Sequence, residues 1–84
     1  MFEIIFSKQA GKFIQSLLPG YREKLKGIVT QLQHNPFSYP YKKIRGEQHT
    51  YRIRIGRYRM LYEVHQDSKK IFIQKMEERG SVYQ

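Results

Sequence analysis

Eighty-four residues with 16 Lys and Arg against 7 Asp and Glu, and 39% hydrophobic positions, make one strongly basic domain of formal net charge +9, with material for a single core. The sequence holds no cysteine, which excludes disulfide staples, thiolate metal sites and a thiol nucleophile and suits a cytoplasmic protein. No leader pattern and no long apolar stretch stands in the chain, so no membrane partner is expected.

Residues 1–84 read as one unit, without linker, repeat or low-complexity tract. Phe2, Ile4 and Phe6 alternate as a short strand does, and Ser7 then offers a helix N-cap. Ala10, Phe13, Ile14 and Leu17 recur at helical spacing, and Pro19-Gly20 is expected to end that first helix. Leu25, Ile28, Val29 and Leu32 repeat the spacing, until Asn35-Pro36 stops a second helix. The period then falls from 3.6 to 2. Tyr51, Ile53 and Ile55 alternate with Arg52 and Arg54, Gly56-Arg57 supplies a turn, and Tyr58, Met60, Tyr62 and Val64 alternate with Arg59, Leu61 and Glu63. Asp67-Ser68 makes the next turn, Lys70 to Met76 reads as another strand, and Glu77 to Gln84 as a polar tail. An α+β fold follows: an N-terminal strand and a two-helix hairpin packed on one face of a mainly antiparallel sheet, with the other face free for a ligand.

Charge says what kind of ligand. Between residues 41 and 60 stand Lys42, Lys43, Arg45, Arg52, Arg54, Arg57 and Arg59 against Glu47 alone, six of the nine net charges. A field of one sign on one part of a small protein gathers polyanions, of which nucleic acid is the commonest. Lys43, Arg45, Arg52, Arg54 and Arg57 are therefore the candidate RNA-binding residues. Alternation puts Arg52, Arg54 and Arg59 on the side opposite the apolar row, where three guanidiniums are expected to converge on a solvent-facing surface that matches phosphate oxygens. Tyr83 lies beyond the last strand pattern with little local core to join, and an aromatic near arginines is what stacking on an unpaired base requires. His34, His49 and His65 are too far apart in sequence to suggest a metal site, and no Walker, Rossmann or G-x-S-x-G pattern is present. Neither a metal nor a cofactor is expected.

Three blocks in order, Lys43-Ile44-Arg45-Gly46, then Tyr51 through Val64, then Arg79-Gly80-Ser81-Val82-Tyr83, together with Phe6-Ser7-Lys8-Gln9-Ala10 and Leu32-Gln33-His34-Asn35-Pro36, carry a resemblance over nearly the whole chain. The chain resembles the RelE/ParE superfamily of toxins from type II toxin–antitoxin systems. On the RelE side the resemblance implies an endoribonuclease, an mRNA interferase that cuts messenger RNA on the ribosome and inhibits translation, by metal-independent attack of the substrate's 2′-hydroxyl on the adjoining phosphate. It implies that Arg52 and Arg54 hold the RNA backbone and that Arg59 meets the scissile phosphate. Arg79 and Tyr83 would complete the site, with Tyr83 stacking on a nucleotide.

Arg52 and Arg54 stand where some relatives carry lysine, and arginine does not readily lose a proton to serve as a general base. Glu78 is ranked first for that role, ahead of Glu77 and Tyr83. The resemblance also implies a cognate, RelB-like acidic antitoxin that folds on binding. Two other functions remain open on the same fold: a ParE-like inhibitor of DNA gyrase, and a non-catalytic nucleic-acid-binding regulatory module.

Overall fold

The computed structural model describes residues 1–78, so Arg79, Gly80 and Tyr83 lie outside the described residues. Seven elements follow in order: β1 (Glu3–Phe6), α1 (Lys8–Ser16), α2 (Pro19–His34), β2 (Lys42–Lys43), β3 (Thr50–Ile55), β4 (Tyr58–His65) and β5 (Lys70–Glu78). The strands form one sheet in the order β1-β5-β4-β3-β2, with β1 parallel to β5 and the other pairings antiparallel. This is the expected α+β architecture, with β2 added at one edge.

Local chemistry sets the boundaries. The Ser7 hydroxyl accepts a hydrogen bond from the Ala10 N–H at 3.0 Å, capping α1, and donates one to the Gln74 carbonyl at 2.8 Å, tying that cap to β5. Pro19-Gly20 does not end α1, which stops at Ser16; Pro19 opens α2. Proline suits the first turn because the N–H it lacks has no intrahelical partner there. All three antiparallel connections use left-handed backbone, at Gly46, Gly56 and Lys69. Gly56 takes φ 61° in the β3–β4 turn, a conformation that strains other residues, and a Cβ there would come within 2.9 Å of the Tyr21 ring, which would have to move.

The core lies between the helix pair and one face of the sheet. Ala10, Leu17, Leu25, Ile28 and Leu32 meet Ile53, Ile55, Met60, Tyr62, Val64, Ile71, Ile73 and Met76, all buried. Strict alternation from Ile71 and Ile73 would send Lys75 and Glu77 into that core. A bulge prevents it: Leu61 pairs with Lys75 but Tyr62 pairs with Ile73, so Gln74 is the extra residue. Beyond the bulge Met76 returns to the core and Glu77 turns to the opposite face. Where β1 ends, Gln9 takes over its edge. Its amide accepts from the Met76 N–H at 2.9 Å and donates to the Met76 carbonyl at 2.6 Å, as a neighbouring strand would.

Candidate nucleic-acid interface

The face of the sheet turned away from the helices carries the arginines. Arg54 and Arg59 are direct cross-strand partners on β3 and β4, and Arg52 lies two residues along from Arg54, opposite Leu61. Register partners share a face, so these three side chains rise from one side of the sheet, as expected. Their exposure differs from expectation. Arg54 is exposed and Arg52 half-buried, whereas Arg59 is only 5% exposed. Arg59 stands on the middle strand of the sheet, with Arg54 across from it on one side and Glu77 on the other. A guanidinium held away from bulk water acts on a nearby anion through a lower effective dielectric than a surface charge does. The three arginines thus form a graded site, from exposed to enclosed.

Other expected site residues are distributed differently. Glu78 is the register partner of Tyr58, on the opposite side of β5 from Glu77, and its carboxylate lies 3.4 Å from Arg57. Arg57 also donates to the Tyr58 hydroxyl at 3.4 Å, and this hydrogen bond, with the nearby Glu78 carboxylate, raises the guanidinium pKa above its ordinary value. Arg57 and Glu78 are thereby occupied with each other at the rim of the helix-facing side. Glu77, ranked below Glu78 from sequence, is the carboxylate that faces Arg59 across the ladder, with Lys75 3.5 Å from it. Lys43 pairs with Tyr51 and Arg45 sits in the exposed turn after β2; Lys42, whose partner is Arg52, is the lysine on the arginine face. A two-residue strand is too short to show a period, so no pattern in the sequence could have chosen Lys42 over Lys43.

Further along β4, Glu63 hydrogen-bonds with His65 and accepts from the Gln74 amide at 2.8 Å. The His65 ring lies 5.9 Å from that of His49. Among the described residues no group of three or more His, Asp or Glu comes together in a way that could hold a metal ion. On the helix side, an open groove of about 640 Å³ is lined by the apolar Ile4, Phe6, Ile14 and Val29 and by the charged Arg22, Glu23 and Lys26. Among the described residues no helix is long and apolar enough to cross a membrane.

A small basic domain with a helix pair on one face of its sheet and an arginine row on the other defines a class, and comparison with known proteins agrees. Residues 4–80 match the family model for the ParE toxin of the type II toxin–antitoxin system parDE. The toxin RelE3 of Methanocaldococcus jannaschii is 31% identical over 85 aligned positions, covering 96% of this chain and 94% of that protein. Among solved structures, the archaeal RelE–RelB complex from Pyrococcus horikoshii OT3 superposes with TM-score 0.79 at 27% identity, over 94% of this chain and 96% of that one. The isolated E. coli RelE toxin superposes with TM-score 0.82 at 25% identity, over 99% of this chain and 92% of that one. The chain belongs to the RelE/ParE superfamily of toxins from type II toxin–antitoxin systems.

Proposed function

We propose that this toxin is an mRNA interferase, an endoribonuclease that cuts ribosome-bound messenger RNA without a cofactor. The observation that carries the proposal is the Arg54–Arg59 cross-strand pair, with Arg52 beside it on the same face. In the reaction the 2′-oxygen bonds to the adjoining phosphorus and the 5′-oxygen of the next nucleotide departs, leaving a cyclic phosphate and a free 5′-hydroxyl. Negative charge gathers on the phosphoryl oxygens between those two events. Fixed guanidiniums aimed there stabilise the transition state more than the ground state. Arg59, enclosed between its strand neighbours, is the residue for the scissile phosphate, and Arg54 and Arg52 for the backbone beside it. Glu77 is better placed than Glu78 to take the 2′-hydroxyl proton, because it stands on the arginine face beside Arg59 whereas Glu78 points to the opposite side; each carboxylate has a cation near it, Lys75 and Arg57 respectively. Arg79 and Tyr83, outside the described residues, are assigned to the same site on the resemblance of the C-terminal block alone.

The partner expected is a cognate RelB-like antitoxin. The P. horikoshii relative was solved in complex with RelB. An apolar groove edged by Arg22, Glu23 and Lys26 suits the apolar side of an amphipathic segment, and the +9 charge of the chain favours an acidic one.

The test is induction of the wild type and of Arg59→Ala in bacteria, with mRNA 5′ ends mapped on ribosomes. Growth arrest with new cuts that fall at least 100-fold in the variant is the expected result, in line with the loss of one main transition-state contact. Arg59→Lys, which retains the charge, guards against a folding defect. The match to a ParE family model sustains a second reading, inhibition of DNA gyrase. Arrest without cuts, and loss of supercoiling by purified gyrase in the presence of the toxin, would establish that reading instead.

A further inference from the structure

Beside the arginine face, off the end of β2, lies a cleft of about 300 Å³ lined by Tyr39, Pro40, Tyr41, Lys42, Arg52 and Arg54. Its size is at the lower end of small-molecule sites, roughly 300–1,000 Å³, enough for one nucleotide. Pro40 precedes β2 and has no N–H to give to the ladder, so β2 covers β3 only at Tyr51 and Arg52 and leaves the edge beside Arg54 open. One wall of the cleft is cationic and the other aromatic.

The aromatic wall is fixed before any ligand arrives. Tyr41 is 44% exposed, yet its ring packs 5.3 Å from Phe37 and 5.5 Å from Tyr51. The segment leading to it is tied at several points. The Asn35 side chain accepts from the Phe37 N–H at 3.0 Å, the Gln31 amide donates to the Ser38 carbonyl at 3.0 Å, and the buried Tyr62 hydroxyl donates to the Pro36 carbonyl at 3.0 Å. This exposed aromatic, held by its ring contacts and by the ties on residues 35–38, shares the cleft with three cations. It meets two requirements for single-stranded nucleic acid: a rigid π surface for a base and donors for its phosphate.

We propose that this cleft is a nucleotide subsite, in which one unpaired RNA base stacks on Tyr41 and Tyr39 while the adjoining phosphate is held by Arg52, Arg54 and Lys42. The proposal rests on the nuclease reading and deepens it. Arg54 is shared between the cleft and the Arg54–Arg59 pair, so the base bound here lies next to the phosphate on Arg59. The cleft would thereby grip the message at a position adjoining the cut and impose a preference for the base found there.

The test is an amide NMR titration of the full chain with uridine 3′,5′-bisphosphate and, separately, with ribose 3,5-bisphosphate, which keeps the charges and lacks the base. The expected result is saturable shifts at Tyr39, Tyr41, Lys42, Arg52 and Arg54, with the ribose compound binding roughly 5- to 100-fold more weakly, the range for losing one base–aromatic stack. In Tyr41→Ala the difference between the two ligands should shrink, in Tyr39→Ala/Tyr41→Ala it should vanish, and Tyr41→Phe should keep it. Equal binding of both ligands to the wild type, or shifts that bypass residues 39–42, would overturn the subsite. That comparison decides the matter even where Tyr41→Ala does not fold. The nuclease reading is judged separately by the Arg59 variant: cleavage without base selectivity here removes the subsite alone, and selectivity in a protein that cuts no mRNA removes the nuclease reading alone.

Discussion

Tyr62 shows how one buried polar atom can serve both stability and site geometry. Its side chain is fully enclosed, and its hydroxyl finds the Pro36 carbonyl at 3.0 Å. Burial, with Tyr41 and Tyr51 nearby, pushes the phenol pKa well above its ordinary value. The folded protein therefore keeps this proton at a pH where the unfolded chain, titrating near about 10, has lost it. Stability is unaffected by this group below that value and falls as pH rises beyond it. Tyr62→Phe should cost about 1 kcal/mol at neutral pH through the lost hydrogen bond. The same variant should flatten the loss of stability above about pH 10. Urea titrations at pH 8 and at higher pH check both outcomes. The loss should also loosen residues 36–41, the segment that carries Tyr39 and Tyr41.

Among the elements, β5 departs furthest from what periodicity can foresee. The β3–β4 hairpin was plain in the sequence because Tyr51 to Val64 keeps a clean period of 2 around Gly56-Arg57, and the helices because their apolar residues return every three or four positions. The bulge at Gln74 leaves no such trace, since it is the breaking of a period, and it decides which glutamate faces Arg59. Arg59 itself was placed on the correct face, but its burial depends on cross-strand neighbours that alternation along one strand does not reveal. Pro19 reads in the sequence as a stop and serves in the structure as a start; the residue type is the same at both and only the surrounding backbone distinguishes them. Nor could sequence show that Gln9, on α1, would complete the edge of β5. Gln9→Ala should remove both hydrogen bonds to Met76 and cost about 1–3 kcal/mol, taking about 1 kcal/mol for each bond. The Met76 amide should then exchange with solvent markedly faster while amides of the β3–β4 ladder keep their protection, a contrast hydrogen-exchange NMR can read. Uniform acceleration across the sheet would mean that the Gln9 contact supports the whole fold and not this edge.

Over the whole molecule, the +9 charge is unevenly placed, with most of the excess between residues 41 and 60. Binding to single-stranded RNA should therefore weaken steeply with salt, log K falling against log salt with a slope of about −0.7 per phosphate contact. Removing two contacts in Arg52→Ala/Arg54→Ala should make that slope shallower by about 1.4. A lysine pair on the far side, Lys24→Ala/Lys26→Ala on α2, should leave it nearly unchanged. Equal effects from both pairs, measured by fluorescence anisotropy across a salt series, would mean that the RNA is drawn to the net charge and not to the arginine face.

The parallel pairing of β1 with β5 has a consequence in time. Glu3 lies opposite Lys70 and Phe6 opposite Ile73, so among the described strands the earliest in the chain is held in the sheet by the latest. Contacts so distant along the chain form late, after the entropy of closing a long loop has been overcome. During translation the N-terminal segment and both helices emerge with their sheet partner still unmade, and Arg59 has no β5 beside it. The strand that flanks Arg59 on its second side is thus added only as β5 leaves the ribosome. Until then the nascent chain displays an unpaired strand and an apolar surface that β5 has yet to cover.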